Sequence, residues 1–236
     1  MLVGGLAALI AALLWSMGSF LFTTAVHKIG SIQLNIDRMA GATILLLITL
    51  LILGINITAT PIQIFYLVLS GFIGLVIGDS ALFRAFQEMG PRVSLLIYSS
   101  NPAIAALLAY LIFGETVSLY AYLGIVLVLS GIAFVVTEKP NKEFASRFKV
   151  TKIGVIMAFL SAIGQAGGLI LAKMAFSTGE IHSMVATVIR IASAVIIMLP
   201  FSILLKKYKN PFKLYKKEIS TLKLVGIGSI IGPYLG

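Results

Sequence analysis

The chain has 236 residues, of which 59% are hydrophobic and 11% are charged, and its mean hydropathy is +1.08. A water-soluble domain would expose too much of this apolar surface, so the composition indicates an integral membrane protein. The absence of cysteine excludes disulfides and thiol chemistry. The net charge of +10 does not indicate nucleic-acid binding, because the lysines lie between long apolar segments, as basic loops on the cytoplasmic face of a membrane protein do.

Apolar segments of about 20 residues, the length that spans a bilayer as a helix, recur along the chain. Seven complete segments are predicted near residues 3–26, 32–54, 63–86, 92–113, 119–137, 153–176 and 182–205, and a truncated eighth runs from Leu222 to Gly236. The first is too long for a signal-peptide core and has no basic segment before it. The sequence therefore predicts an all-α integral membrane protein.

A basic linker at residues 138–152 divides the chain into two units that resemble each other. A shift of 152 residues places Arg38 on Arg190, a shift of 150 places Trp15 on Gln165, and a shift of 158 places Gly74 on Gly232. We interpret residues 1–137 as a five-helix repeat and residues 153–236 as an incomplete copy, two to three helices short. A unit with an odd number of helices places its copy upside down, which gives inverted repeats.

The chain resembles the ten-helix, EamA-type members of the drug/metabolite transporter superfamily. The resemblance rests on AALLWSMGSF, an arginine early in helix 2, GDSALFRAFQEMGPRVSLL, NPAIAALLAYLIFGETVS, YLGIVLVLSGIAFV and, in the second unit, IGSIIGPYLG. It covers the whole chain in order and implies carrier-mediated movement of small metabolites, often export. Helix 1 lacks the acidic residue at which small multidrug members of the superfamily bind protons, so that coupling mechanism is not carried over.

Charged residues inside the predicted helices are candidates for function, because each costs about 2.5–3.5 kcal/mol at a helix centre on insertion scales. Arg38 and Asp79 lie at similar depths toward the same membrane face, which predicts an ion pair with a gating, substrate-contacting or structural role. Arg84 is an alternative partner for Asp79, although it is not on the same helical face. Arg190, the counterpart of Arg38, contacts substrate, extends its charged end toward the membrane surface or binds backbone carbonyls.

Helix 4 carries a proline within an apolar segment. Pro102 has no N–H, which predicts a bend. Ser94, Tyr98 and Asn101 follow i, i+4, i+7 spacing and share one face. This face is interpreted either as a cavity lining near the membrane midplane or as a packing face where hydroxyls bond to the backbone.

Two further candidates, Trp15 and Gln165, occupy equivalent positions in the two units and are predicted to face each other, with core packing as the alternative for Trp15. Glu115 ends helix 4, where it is solvated, caps the next turn or meets a cation from a neighbouring helix. The glycines of the pairs Gly74 and Gly78, and Gly164 and Gly168, are four residues apart, which predicts close approach of helix backbones.

The function favoured by these features is secondary transport of a small metabolite or drug-like solute across the cell membrane, as an exporter rather than an enzyme. A lipid-linked sugar flippase subunit and, with less support because the two histidines are scattered, a lipid-modifying membrane enzyme are the alternatives. No nucleotide-binding or metal-ligand motif is present in the sequence, so no cofactor or metal is expected. The expected partners are a small-molecule substrate and membrane lipids, with no nucleic acid; a homodimer is left open.

The orientation in the membrane is predicted from the basic residues. All 18 lysines and arginines except Lys173 and Arg190 lie in or toward loops that share one face, which we call the basic face. The positive-inside rule makes that face cytoplasmic and places the N-terminus outside. The resembled family has both termini inside, so the two indications disagree and we favour the first.

Overall fold

A computed structural model describes residues 2–137 and 150–235 of the chain. Within these residues the chain is almost entirely helical and has no strand. Five helical stretches among them are long and apolar enough to cross a membrane, and three shorter apolar helices accompany them. The predicted all-α membrane class is therefore confirmed. Residues 138–149 of the predicted basic linker lie outside the described part.

The helices follow one another with short connections. In chain order they are α1 (Leu2–Ile29), α2 (Ser31–Ile52), α3 (Pro61–Ser70), a π-helix (Gly71–Asp79), α4 (Ser80–Tyr98), α5 (Asn101–Phe113), α6 (Leu119–Thr137), α7 (Lys152–Ser177), α8 (Ser183–Leu204), α9 (Pro211–Lys217), α10 (Ile219–Ser229) and a second π-helix (Ile230–Tyr234). The first π-helix joins α3 to α4 without a break, and the second continues α10.

The predicted third and fourth membrane helices meet at Gly90 inside α4. Gly90 has φ 76° and ψ 172°, a conformation outside the helical region, and Pro91 follows it. Glycine adopts positive φ without the steric penalty that a side chain would bring, and proline is favourable as the first residue of a new helix. The EMGP sequence thus acts as the predicted turn, but as a break of one residue rather than as a loop.

Helix α7 packs against the first π-helix through the glycines that the sequence singled out. A Cβ atom added to Gly164 would lie 2.9 Å from the Cα of Gly78, and one added to Gly168 would lie 2.9 Å from the Cα of Gly74. The Ser70 hydroxyl donates a hydrogen bond of 2.6 Å to the Gly168 carbonyl. The predicted close backbone approach is confirmed, and it brings α7 directly beside the helix that carries Asp79.

The third helices of the two predicted units make reciprocal contacts. Helix α3 and the first π-helix pack on α7 and α8, whereas α10 and the second π-helix pack on α1 and α2; α2 also packs on α8. Gln165 lies beside Gly74, and Trp15 lies beside Gly232, as the shifts in the sequence relate these residues. An inverted repeat requires such a pattern. The repeat and its boundaries at 137 and 153 stay predictions.

Candidate functional site

A cavity of about 350 Å³ lies where the two predicted units meet. Its polar lining includes Arg38 of α2, Asp79 of the first π-helix, Tyr98 of α4, and Gln165 and Arg190 of the second unit. Its remaining lining residues are Trp15, Met39, Leu75, Thr187, Ile191, Gly232 and Pro233. Six of the residues proposed from the sequence therefore surround one space, although they come from separate helical segments.

The ion pair predicted between Arg38 and Asp79 is present. The guanidinium of Arg38 donates to Oδ2 of Asp79, and each side chain is only 1% exposed. Three aromatic rings surround the guanidinium: its Cζ lies 5.6 Å from the ring centroid of Trp15, 5.5 Å from that of Phe22 and 4.7 Å from that of Phe83. Cation–π attraction to these rings adds to the ion pair in holding the arginine away from water.

The second oxygen of Asp79 binds the other predicted unit. The amide Nε2 of Gln165 in α7 donates to Oδ1 of Asp79. A single carboxylate thus connects α2 to α7, and both of its oxygens have a partner. A buried carboxylate is stable only when it is paired and hydrogen-bonded, and this arrangement meets both conditions.

Asn35 belongs to the same network and was missed by the sequence analysis. Its Oδ1 accepts two hydrogen bonds from Arg38, of 3.3 and 3.0 Å, and its Nδ2 donates to the Leu75 carbonyl at 2.9 Å and to the Ser80 hydroxyl at 3.0 Å. Asn35 therefore joins α2 to both the π-helix and α4. The available signal was its spacing of three residues from Arg38, which places the two side chains on one helical face.

Arg190 of α8 also lines the cavity. Glycine at position 71 lets the backbone of the π-helix approach, because a Cβ there would lie 2.4 Å from the Arg190 carbonyl. A Cβ at Gly74 would lie 3.6 Å from the Nη2 of Arg190. The Nε of Arg190 is buried and has no hydrogen-bond partner within residues 2–137 and 150–235. The carbonyl-bonded structural role that the sequence left open does not account for this nitrogen.

The predicted bend of helix 4 is confirmed near Pro102. Helix α4 ends at Tyr98, α5 begins at Asn101, and Pro102 occupies the first turn of α5. Tyr98 lines the cavity, whereas Asn101, three residues further along the chain, is not among its lining residues. Pro102 is exposed on the outside of the bundle. Pro102 therefore affects the site by interrupting the helix, and it does not contact the cavity.

Two candidates are absent from the cavity lining, and for Ser94 the structure agrees with the alternative of a hydroxyl bonded to the backbone. The hydroxyl of Ser94 is buried and donates to the Gly90 carbonyl at 2.6 Å, so it satisfies the carbonyl at the helix break instead of lining the cavity. Arg84 does not pair with Asp79. It is half exposed and forms an ion pair of 2.6 Å with Glu88, one turn further along α4, because a spacing of five residues turned it away from the face that carries Asp79.

Glu115 meets a cation from a neighbouring helix, which is one of the three interpretations of its position. It follows α5 and lies 2.6 Å from the Nζ of Lys173 in α7. Both side chains are about half exposed, at 50% and 44%. An exposed pair of this kind contributes about 0–1 kcal/mol, and it lies away from the cavity.

An apolar plug separates the cavity from the basic face. The plug consists of Phe22 in α1, Leu34 in α2, Phe83 and Phe86 in α4, and Val225 in α10, all buried in one cluster. Along α1, α2 and the two stretches formed by a π-helix and its neighbouring α-helix, the plug residue lies between a cavity-lining residue and the end at the basic face. Ring contacts of 5.4 Å between Phe22 and Phe83 and of 5.8 Å between Phe83 and Phe86 close the gap. Within residues 2–137 and 150–235, this buried cluster therefore lies between the cavity and the basic face and closes the cavity on that side.

A second polar cluster ties the two units together at the basic face. The connection between α8 and α10, residues 205–218, is called the strap. Asp37 of α2 accepts hydrogen bonds from the hydroxyl of Tyr208 at 2.7 Å, from that of Tyr215 at 2.6 Å, and from Gln33 at 2.9 Å. Burial, followed by the hydrogen bond to the Asp37 carboxylate, raises the pKa of both tyrosines above the ordinary value of 10.0. This cluster was not predicted from the sequence, where the only feature that pointed to it was an acidic residue next to Arg38.

A bundle of apolar helices around a polar, charge-lined cavity defines a multi-pass membrane protein with an internal polar cavity. The EamA-like transporter family matches residues 2–137, more than half of the chain. The chain therefore belongs to the EamA-like transporter family, which confirms the resemblance found in the sequence.

Two named relatives are consistent with this membership. Over 144 residues the chain is 28% identical to a protein named "Uncharacterized transporter" from Clostridium kluyveri, which covers 60% of this chain and 46% of that protein. Over 92 residues it is 32% identical to UDP-galactose transporter homolog 1 of Candida glabrata, which covers 39% of this chain and 25% of that protein. The matched segments thus span less than half of each of these curated relatives.

Proposed function

We propose that the protein is a secondary transporter of the cell membrane that binds a small metabolite or drug-like solute in the cavity around Asp79 and exports it. The observation that carries the proposal is the position of Asp79. Its carboxylate binds Arg38 of one predicted unit and Gln165 of the other, at the wall of the cavity. A group in this position stabilises one arrangement of the two units and can respond to what enters the cavity.

Movement of the two units relative to each other would supply alternating access. The closed plug and the strap at the basic face support one of the two required states. The opposite state requires that Phe22 and Val225 separate from Phe83 and that the strap leaves Asp37. The sequence contains no nucleotide-binding motif, so the energy for net transport would come from a solute or ion gradient.

The size of the cavity favours a small solute over a lipid-linked sugar. Its volume of about 350 Å³ lies at the low end of the range for small-molecule sites, about 300–1,000 Å³. The relative named a UDP-galactose transporter homolog matches over 39% of this chain. That likeness supports transport as the activity, whereas it does not extend far enough to support that substrate.

The proposal is tested with proteoliposomes loaded with a small-metabolite extract of the host cells, with released solutes identified by mass spectrometry. We expect at least one solute to leave faster than from protein-free liposomes, and Asp79→Asn to abolish that release. Lys28→Gln, which removes an exposed pair of 3.5 Å with Glu218, is the matched control and should release normally. Equal release with and without protein, or normal release by Asp79→Asn, would refute the proposal.

The direction of transport needs intact cells. Cells that express the protein should accumulate the identified solute in the medium more quickly than cells that express Asp79→Asn. Exchanging the charges, with Arg38→Asp and Asp79→Arg combined, should restore more export than either single change retains. Faster uptake from the medium in place of export would overturn the direction and leave the transport proposal standing.

A further inference from the structure

We infer that the cavity selects a small organic anion, and that Arg190 binds its carboxylate or phosphate group. This inference rests on the proposed function, because it names the substrate class of the same site. It is carried by the distribution of charge and hydrogen bonds around the cavity.

The charges of the cavity do not balance. Among residues 2–137 and 150–235, the charged side chains that line it are Arg38, Asp79 and Arg190. The positive charge of Arg38 is matched by Asp79 in a direct ion pair. The second oxygen of Asp79 is bound by the neutral amide of Gln165. One positive charge, that of Arg190, is therefore left in excess within the lining.

Arg190 also has an unused donor at the same space. Its Nε is buried and has no hydrogen-bond partner in the part of the chain that the structure describes. A buried donor without a partner is destabilising by about 1–3 kcal/mol, and more when the group is charged. Such groups are rare in folded proteins, and each one suggests a missing partner. Carboxylates and phosphates fit the planar guanidinium with two parallel hydrogen bonds.

A cationic or zwitterionic solute fits the cavity less well. An ammonium group would have to share the single carboxylate of Asp79 with Arg38 and Gln165, each of which already binds one of its oxygens. It would also be repelled by Arg190. The geometry therefore favours a solute whose only charged group is negative.

The rest of the lining describes the uncharged part of the solute. Trp15, Met39, Leu75 and Ile191 provide apolar surface, and Tyr98 provides a hydroxyl group. These residues suit a short apolar or aromatic body attached to the acidic group. Ligand sites commonly combine an apolar lining with a few polar groups that fix the orientation.

Trp15 makes the charge selectivity measurable without labels, because it is the only tryptophan in the chain and it lines the cavity. We would measure quenching of its fluorescence in detergent-purified protein by iodide, caesium and neutral acrylamide. An excess positive charge concentrates anions in a cleft with apolar walls. Iodide should therefore quench several-fold more strongly than caesium. Arg190→Gln should weaken quenching by iodide, Arg190→Lys should preserve it, and acrylamide should quench all three proteins alike.

The overall positive charge of the protein also attracts iodide, so Arg84→Gln is the control. It removes one positive charge from an exposed site outside the cavity and should leave iodide quenching unchanged. Equal quenching by iodide and caesium, including none by either ion, would overturn the anion site, as would the same loss of quenching in Arg84→Gln and Arg190→Gln. Neither result would bear on solute release from proteoliposomes, so failure of this inference is distinguishable from failure of the proposed transport.

Discussion

Arg38 and Asp79 form an ion pair in which both side chains are almost completely buried, and Gln165 binds the same carboxylate from α7. The pair combines two requirements that are separate in most proteins. It neutralises two charges inside a membrane-spanning bundle, and it fastens α2 and the first π-helix to the opposite predicted unit. Removing either partner should therefore affect stability and conformational state together.

The first prediction concerns the energy of this pair. Asp79→Leu leaves Arg38 buried without its counterion, and breaking a buried pair from one side costs about 3–5 kcal/mol. The free energy of unfolding, measured by titration with sodium dodecyl sulfate in mixed micelles, should fall by about that amount. The double variant with Arg38→Met should recover part of the loss, because no charge is left unpaired.

The exposed pair of Lys28 and Glu218 provides the comparison. Its side chains are 41% and 43% exposed, so Lys28→Gln should change the free energy of unfolding by about 0–1 kcal/mol. If Lys28→Gln and Asp79→Leu had similar effects, burial of the Arg38–Asp79 pair would not be what makes that pair important for stability.

The second prediction concerns the glycine contact between α7 and the first π-helix. A Cβ at Gly164 would lie 2.9 Å from the Cα of Gly78 and equally close to the Ile73 carbonyl. The backbones must then separate, so Gly164→Ala should lower the free energy of unfolding by about 1–3 kcal/mol. Gly226 in α10 has open space around its added Cβ. Gly226→Ala should be neutral or stabilising, by up to about 1 kcal/mol, because alanine favours the helix. A loss at position 226 equal to that at 164 would contradict the packing argument.

Much of the fold could be predicted from the sequence, because each membrane helix depends on a local run of apolar residues. The partnership of Arg38 with Asp79 was also accessible, since two charges at one depth need each other. The spacing of the glycines predicted a close backbone approach, and the structure shows that Gly74 and Gly168 make it. These inferences depend on the local composition of each segment and on the distance of a residue from the end of its predicted helix. Both quantities can be read from the sequence.

The errors arose where rotation about a helix axis decides the contact. The π-helix Gly71–Asp79 changes the angular spacing of side chains before α4 begins. No pattern of residues in the sequence predicted a π-helix at this position. Spacing alone left two interpretations of Ser94 open, and the break at Gly90 decided between them by offering its hydroxyl a carbonyl acceptor. The bonds from Asp37 to Tyr208 and Tyr215 join residues far apart in the chain, which periodicity cannot bring together.

The third prediction uses the pH dependence of the strap. The pKa values of Tyr208 and Tyr215 are raised above 10.0, so their contribution to stability is complete below a pH of about 10 and is lost as the pH rises through the raised values. Thermal stability in detergent should therefore fall more steeply above pH 10 for the wild type than for Tyr208→Phe combined with Tyr215→Phe. Parallel profiles would show that the hydrogen bonds to Asp37 do not hold the strap.

The fourth prediction concerns the gate formed by the same bonds. Asp37→Ala removes the acceptor shared by Tyr208 and Tyr215, so the closed conformation at the basic face should lose population. Because the chain has no cysteine, Thr187→Cys provides a unique reporter within the cavity lining. Its labelling by a water-soluble maleimide added from the basic face should become faster in the Asp37→Ala background. The unrelated change Glu88→Gln should leave the rate unaltered, and equal acceleration by both would contradict a specific gate.

The last prediction decides the orientation in the membrane. Tyr208 and Tyr215 hold the strap, with its many lysines, at the same end of the bundle as Lys28 and the Gly90 turn. The positive-inside rule makes that end cytoplasmic, so the N-terminus and the connection between α2 and α3 should lie outside. Thr58, in that connection, and Lys216, in the strap, are both exposed. In intact cells an impermeant maleimide should label Thr58→Cys readily and Lys216→Cys only after permeabilisation, since each cysteine would be the only one in the chain. Ready labelling of Lys216→Cys in intact cells, with protection of Thr58→Cys, would show that the termini follow the family precedent instead.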